Sequence, residues 1–487
     1  MIRTWDKQKV NEILKRNFPE HKFITVSNRQ PYIHNLKKGK VVATRGPGGV
    51  ITALDPVMKS LGGTWVCSGA GEADKLVAKN GKVKVPPKNP AYTLKYIWLT
   101  KQENIGYYYG FSNQALWPLS HLVFMKPVFR NQDWQIYKKV NKKYAKNISQ
   151  QIKGKKAVVF IHDYHLSLVS KYLKQSDPQV RTIMFWHIPW PTYDIFRILP
   201  QRKEILKSML SYDLIGFHIG YFGTNFLEAI ASEVEAQVDK ENDTVRYRGH
   251  ISKVGGYPIS IDFDGITEES KSREVQEMSK ELAKEFNLEG YKIIIGLDRI
   301  DYTKGIIERI KAIDCLLDKQ PELKGKIKFI QMGEVSRIHL PQYKKLNEEV
   351  NSLVEQVNFK HSKGHWRPIT FVRRHLDFKE VLSFYQIADI CIVSSLHDGM
   401  NLVAKEFVSS KFDLGGMLVL SHFTGASRQL DGALMVNPYH TEEFSRIIFK
   451  ALSMKNKERQ KRMKKLRESI YQDDIWNWIG NLISDLP

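Results

Sequence analysis

Cysteine is scarce in this chain: three in 487 residues, Cys67, Cys315 and Cys391, far apart and outside any CxxC spacing. Nothing there suggests a disulfide framework or a zinc site, and a reducing cytoplasm suits such usage. Long apolar runs are missing too. None reaches eighteen residues, so no membrane-spanning helix is expected. The opening MIRTWDKQKVNEILKRNF is charged and amphipathic, without the apolar centre and small-residue cleavage site of an export signal. A soluble, cytoplasmic protein is the expectation. Internal repeats, low-complexity tracts and Arg-Gly repeats are absent, as is the GxSxG elbow of a Ser/His/Asp hydrolase.

Lysine is plentiful. The 75 basic residues outnumber the 52 acidic ones, for a formal charge of +23. Such an excess suits nucleic acid, an anionic membrane or anionic small substrates. The lysines are scattered, as in KKLNEEV and KNKERQKRMKKLRES, with no long block of one sign, which argues for a solvated basic surface and against a nucleic-acid partner. With 42% hydrophobic and 11% aromatic residues the chain can fill two cores, and its length exceeds the size at which one core stops growing.

Short runs rich in Val, Ile and Phe alternate with longer segments of helical period, the pattern of βαβ units and parallel sheets. The predicted strands are KFITVSN, KAVVFIHDY, RTIMFWHIP and DLIGFHI in the first half, and KIIIGLDR, KIKFIQMG, ITFVRR, DICIVSS, MLVLSH and ALMVNP in the second. A Gly/Pro interruption, VGGYPISIDF at residues 254–263, separates the two series and marks a domain boundary. The expected organisation is a Rossmann-like domain over residues 1–255, a second over 256–455, and terminal helices over 456–487 that pack back on the first. The last of these has Ile475, Trp476, Ile479 and Ile483 at helical spacing. The Gly255-Gly256 pair is the expected hinge. Ligands of open α/β sheets bind beyond the carboxyl ends of the strands, so chemistry is expected at strand-to-loop junctions facing a cleft.

Several junctions carry chemistry-bearing residues. VSSLHDGMNLVAKEF, residues 393–407, runs from a strand through Asp398 and Gly399 into a helix beginning near Asn401. The glycine permits a sharp turn, and the N–H groups of a first helical turn make an anion site whose usual guest is phosphate. Asp398 in the loop and Glu406 on the helix can address different parts of one ligand, such as a sugar ring and a ribose; the structural alternative is a cap and a solvated face. In IIIGLDRIDYTKG, residues 293–305, a buried strand leads to Arg299 and Lys304, a planar fork and a point charge suited to clamping a diphosphate.

In the first half, ATRGPGGVITAL at residues 43–54 sets Gly48 and Gly49 before an apolar helix, although a glycine pair by itself more often means only a turn. Asp163 of FIHDYHL and His187 of FWHIPWP end two further strands. His162 and His165 have a metal spacing without a companion ligand cluster, so no metal site is expected. Tyr108 and Trp117 in GYYYGFSNQALWPLSH line a sugar pocket or simply a core, which is the commoner fate.

Taken in order, VSNR, GG, YYxGFSNxxLWPL, HDYHL, HIPWP, YPISID, LDRIDYTKG, QMGEVSR and HDGMNLVAKEF resemble the trehalose-6-phosphate synthase family of retaining glycosyltransferases, over about residues 22–440. RIDYTKG with DGMNLVAKE is close to diagnostic. The resemblance implies an α/β chain of the GT-B fold, two Rossmann-like domains facing across a cleft. It also implies transfer of glucose from a nucleotide-glucose to the anomeric hydroxyl of glucose 6-phosphate, with retention, no cofactor and no required metal. UDP-glucose is the expected donor, with GDP- and ADP-glucose left open.

Carried over by motif, Arg299 and Lys304 would hold the donor diphosphate and Glu406 the ribose. Asp398 and the backbone of Gly399, Met400, Asn401, Leu402 and Val403 would hold the donor glucose and phosphates. Gly49 would approach the donor phosphate from the first domain, and His187 would contact the transferred glucose. Asp163 would bind the acceptor's hydroxyls, and Arg29, Tyr108, Trp117 and Arg337 its phosphate. Catalytic duty falls to Arg299, Lys304, Asp163, His187 and Asp398.

The chain departs from the family where a second tryptophan usually completes a W-x-G-W pattern: GGTWVCSGAGEAD has Trp65 but Cys67 and Ser68. HIPWP carries Trp190 where Phe is usual, and FTGASRQL carries Ser427 and Arg428 where Ala and an acid or Asn are common. Donor motifs are intact and acceptor motifs mixed. Two alternatives therefore stand beside the synthase: a relative with another phosphorylated acceptor, such as glycerol 3-phosphate giving glucosylglycerol phosphate, and a catalytically silent sugar-phosphate sensor. Intact Arg299, Lys304, Asp398 and Glu406 count against the sensor. Neither nucleic acid nor membrane is an expected partner, and a homo-oligomer is allowed.

Overall fold

Every position of the run Ala157–His162, AVVFIH, is buried, the burial a parallel strand has when helices cover both faces of its sheet. The computed structural model describes residues 3–46, 48–334 and 337–487. The chain forms two compact units: Ser260–Asp474 is one, and the preceding chain together with Ile475–Pro487 is the other.

In the first unit seven strands run parallel: β1 (Lys22–Val26), β2 (Thr64–Ser68), β3 (Tyr92–Ile97), β4 (Ala157–His162), β5 (Arg181–Phe185), β6 (Leu214–Phe217) and β7 (His250–Gly256). They lie in the order 3-2-1-4-5-6-7, with Val26 opposite Val66 on one side and Ile161 on the other. Short antiparallel strands extend both edges. The order reverses between β1 and β4, and the crevice beyond the carboxyl ends of such a pair is where doubly wound sheets bind ligands.

The helix Ile475–Asp485 completes this unit and buries Ile475, Trp478, Ile479 and Ile483. Trp478 lies 5.5 Å from the Phe160 ring and 5.0 Å from that of Phe185, and Trp5 donates its Nε1–H to Asn481 at 2.8 Å. Gly255 and Gly256, expected as a hinge, are strand residues: in β7 they pair with Gly216 and Phe217. A Cβ on Gly256 would fall 2.6 Å from the Gly220 nitrogen, so close backbone packing explains glycine there.

The second unit repeats the plan with β8 (Lys292–Leu297), β9 (Ile327–Met332), β10 (Ile369–Val372), β11 (Ile390–Val393), β12 (Met417–Ser421) and β13 (Leu434–Val436). Their order is 10-9-8-11-12-13, all parallel, with the reversal between β8 and β11. Ile294, Phe329, Ile392 and Val419 from the strands pack with Ile310, Ile313, Phe444 and Ile448 from the covering helices. The helix Asn456–Gln472, expected to pack on the first domain, belongs to this unit instead. It buries Met463, Leu466 and Ile470, and its Arg467 donates to the carbonyls of Val408 and Ser409. Among the described residues no helix is long and apolar enough to cross a membrane.

Candidate active site

At the reversal point of the second unit, β8 hands the chain to Asp298-Arg299-Ile300-Asp301 and a 3-10 turn, Tyr302–Lys304. Asp301 caps that turn, accepting from the Thr303 N–H at 3.1 Å and its hydroxyl at 3.0 Å. Gly305 follows at φ +62°, and a Cβ there would overlap the Ser394 carbonyl oxygen, so only glycine lets this turn touch the end of β11.

Lys304 thereby reaches Asp398, Nζ to Oδ2 at 2.6 Å, with the two side chains 12% and 14% exposed. The same carboxylate oxygen accepts from Ser395 Oγ at 3.1 Å and Asn401 Nδ2 at 3.2 Å. Asn401, at φ +83°, also caps the helix Leu402–Ser410 by accepting from the Ala404 N–H at 3.1 Å. The N–H groups of Leu402 and Val403 belong to the same first turn, where no intrahelical acceptor exists. Gly399 and Met400 form the turn between Asp398 and that cap, Arg299 is half-buried, and Glu406 is buried beneath. Glu406 accepts from the Tyr385 hydroxyl at 3.3 Å. The sequence grouped Lys304 with Arg299; the structure closes Lys304 onto Asp398 as well.

Two buried cations under this loop escaped the sequence reading. Arg309 is fully buried and donates to Ser394 Oγ, Gln331 Oε1 and Asp298 Oδ2 at 3.0, 3.0 and 2.6 Å, tying three strand ends together. Its position between Ile306 and Ile313 on the apolar face of its helix was the available signal. Lys405 is buried, donates to Gln429 Oε1 at 2.8 Å, and burial pushes its ammonium down to about 7.

Arg337 is 5% exposed and turned onto its own unit: it donates to the Tyr343 hydroxyl at 2.6 Å and pairs with Asp301 Oδ2 at 3.4 Å. Tyr343 in turn donates to Asp301 at 3.2 Å. Burial alone would raise the Asp301 carboxyl, but Arg337, Arg299 and Lys304 hold it below the ordinary carboxylate range. Val335 and Ser336 of the QMGEVSR motif lie outside the described residues.

In the first unit Arg29 lies three residues beyond the end of β1, and its Nη2 donates to the Tyr108 hydroxyl at 2.8 Å. Tyr108 sits on a π-helical stretch, Ile105–Leu116, a form that recurs at functional sites. Its ring stacks on His165 at 5.6 Å. Arg29 and Tyr108 line a cavity of about 390 Å³ beyond the ends of β1, β2 and β3, with Ser68, Thr100 and Lys101 on its wall. Trp117 is not among the lining residues and packs against His121 and Tyr164, 4.0 and 6.1 Å between ring centroids.

Trp65 is core, with Nε1 donating to Ser27 Oγ at 2.8 Å. Trp190 is core too, 4.8 Å from Trp186 and 4.9 Å from Phe226. A residue the sequence reading passed over, Asp74, fixes the cavity wall by accepting from the Ala70 and Gly71 N–H groups and from Gln30. Burial alone would raise its carboxyl, but hydrogen bonds from His34 and Gly71 hold it below the ordinary range.

Beside this cavity β4 leads to Asp163, a non-glycine residue at φ +78°, the strained backbone that clusters at functional sites. Its Oδ1 accepts from the N–H groups of Tyr164 at 3.0 Å and His187 at 3.2 Å, bracing the loops after β4 and β5 together. His187 lies with its Nε2 3.0 Å from His162 Nδ1. Gly49 opens the helix Gly49–Leu61 behind Gly48, at φ +121°. Among the described residues one group within reach of a shared metal ion is Asp314, Asp318 and His361. The Lys360 ammonium already pairs with both carboxylates, at 3.0 and 2.5 Å.

Comparison with known proteins gives a consistent result. The model of Glycosyltransferase family 20 matches residues 21–487. The chain is 34% identical to an alpha,alpha-trehalose-phosphate synthase [UDP-forming] of Candida albicans, over 96% of this chain and 97% of that protein. It is also 34% identical to a trehalose-6-phosphate synthase of a Mycobacterium species, over 94% and 93%. Among solved structures, an alpha,alpha-trehalose-phosphate synthase (UDP-forming) from Burkholderia xenovorans in complex with glucose-6-phosphate superimposes with a TM-score of 0.86 at 27% identity, covering 96% of this chain and 99% of that one. A trehalose-6-phosphate protein from E. coli bound with UDP-2-fluoro glucose does so with a TM-score of 0.84 at 29% identity, covering 96% and 98%.

Proposed function

Because the chain belongs to glycosyltransferase family 20, we propose that it transfers glucose from UDP-glucose to glucose 6-phosphate with retention, forming α,α-trehalose 6-phosphate and UDP. Its two Rossmann-like units make the GT-B fold. The observation that carries the reading is the Lys304–Asp398 pair, set at the reversal point of the second sheet in front of the helix Leu402–Ser410.

Departure of UDP concentrates negative charge on its terminal phosphate. Arg299, Lys304 and the first-turn N–H groups of Leu402 and Val403 are fixed donors for that charge, and one such donor is worth ~3 kcal/mol of barrier. Asp398, neutralised by Lys304, accepts from donor glucose hydroxyls, Glu406 accepts from the ribose, and the backbone of Gly49 approaches the phosphate. His187 contacts the transferred glucose. Arg29, Tyr108, Trp117 and Arg337 serve the acceptor phosphate, and Asp163 its hydroxyls. Transfer is a same-face displacement. The bond from the donor's anomeric carbon to the phosphate oxygen breaks, the acceptor's anomeric hydroxyl oxygen bonds to that carbon, and its proton passes to the departing phosphate oxygen. A glycosyl-enzyme trapped on Asp163 or Asp398 would overturn this mechanism.

The test incubates the full chain with UDP-, GDP- and ADP-glucose, each against glucose 6-phosphate and glycerol 3-phosphate, with products identified by mass and anomeric NMR. α,α-Trehalose 6-phosphate from UDP-glucose is expected. Another glucoside would move the reading to a different phosphorylated acceptor, which Ser68 on the cavity wall favours. No product in any pairing would leave a sugar-phosphate sensor.

A further inference from the structure

His162 is the last residue of β4 and His187 lies two beyond β5, and their rings meet with His162 Nδ1 3.0 Å from His187 Nε2. Phe160, Phe185 and Trp478 surround the pair, at ring separations of 4.1, 4.7 and 6.4 Å. Burial keeps both imidazoles neutral, pushing His162 down to about 3 and His187 well below its ordinary value. A neutral imidazole has one N–H and one bare nitrogen, so the contact requires one ring to donate and the other to accept.

The far side of His162 decides which. Its Nε2 is buried and has no hydrogen-bond partner among the described residues. If His187 donated, His162 would carry its N–H on that nitrogen, orphaned among aromatic rings. If His162 donates, the nitrogen is merely a bare acceptor. A buried N–H without an acceptor is the rarer arrangement in proteins, because the full desolvation cost of the donor is left uncompensated.

We infer that His162 donates its Nδ1–H to His187 Nε2 and so fixes His187 in the Nδ1–H tautomer, which presents a hydrogen-bond donor to an oxygen of the bound sugar. His162 is thus a positioning residue that acts through His187. The inference rests on the reading that His187 contacts the transferred glucose. The backbone of His187 is held independently: its N–H is bound by Asp163 at 3.2 Å and its carbonyl accepts from His218 Nε2 at 3.1 Å. The contact with His162 therefore orients the ring without having to place the chain.

Nitrogen-15 NMR of the histidine-labelled full chain reads the tautomers directly, with His162→Asn and His187→Gln used for assignment. Nδ1–H on both rings is expected, and Nε2–H on His187 overturns the inference. Kinetics with UDP-glucose and glucose 6-phosphate form the second arm. His162→Asn keeps an amide donor near the place of Nδ1 and is expected to retain kcat within about threefold. His162→Leu is expected to lose about tenfold in kcat, the value of one directed hydrogen bond, with KM for glucose 6-phosphate unchanged. Equal loss in both variants, or none in the leucine variant, sinks the positioning role. His187→Ala separates the two failures: normal turnover there would remove the glucose contact itself, whereas a crippled His187→Ala beside an unaffected His162→Leu would remove only the part assigned to His162.

Discussion

Arg337 is held by groups that also shape the turn Tyr302–Lys304. Tyr343 accepts from Arg337 and donates to Asp301, the residue that caps Tyr302–Lys304. On the proposed reading, an acceptor phosphate that claims Arg337 must displace those contacts, and its apparent affinity would be scaled down by the fraction of molecules in which the arginine is released. Tyr343→Phe removes one of the holds. It is expected to lower KM for glucose 6-phosphate about threefold in steady-state assays while KM for UDP-glucose stays put, a gain that simple damage would not produce. Lys304→Ala acts in the opposite direction. It removes the cation proposed for the donor phosphate and leaves Asp398 without its counter-charge, so kcat is expected to fall by about a hundredfold or more with the circular dichroism spectrum unchanged. Normal turnover in that variant would remove the donor-site assignment. Glu406→Ala is expected to raise KM for UDP-glucose about tenfold, and an unchanged value would place the ribose elsewhere.

At the level of elements, the helix Leu402–Ser410 carries its own pH dependence. Burial brings the Lys405 ammonium from 10.5 down to about 7. Between those values the unfolded chain still holds a proton that the folded protein has released, so stability rises with pH across that window. Lys405→Met abolishes the titration. The wild-type Tm minus the variant Tm is therefore expected to increase from pH 7 to pH 9.5 in thermal melts, and a flat difference would mean that Lys405 titrates normally.

The strands were largely readable because a strand covered on both faces needs an unbroken apolar run, and AVVFIH, RTIMF, KIIIGL, ICIV and MLVLS each supply one. Thr64–Ser68 and Tyr92–Ile97 were missed because TWVCS is short and polar at its ends and YTLKYI alternates toward the sheet edge. His250–Gly256 was missed because its glycines read as a linker. The π-helical stretch left no trace, since a 3.6-residue period cannot report i→i+5 bonding. The candidate site residues stood out in the sequence as chemistry-bearing positions at strand ends, but their partners did not. Lys304 and Asp398 lie 94 positions apart, and Asp74 in GAGEAD looks like any surface acid until Gln30, His34, Ala70 and Gly71 fold around its carboxylate.

On the scale of the whole molecule, the chain enters the second unit at Ser260 and leaves it after Asp474, so the first unit is assembled from two distant stretches. A fragment ending at residue 259 would leave Phe160 and Phe185 without Trp478. Such a fragment is expected to melt without cooperativity and to gain a cooperative transition when a peptide of residues 475–487 is added. A sharp transition in the fragment alone would show the helix to be dispensable.

On the ribosome the same threading sets a sequence of events. At roughly 5–20 residues per second, synthesis of the second unit occupies on the order of ten to forty seconds. Throughout that interval the portion bearing Arg29, Asp163 and His187 waits with its aromatic floor uncovered, exposed to chaperones and to its neighbours on the polysome. Of the two units, the one begun first is the one completed last.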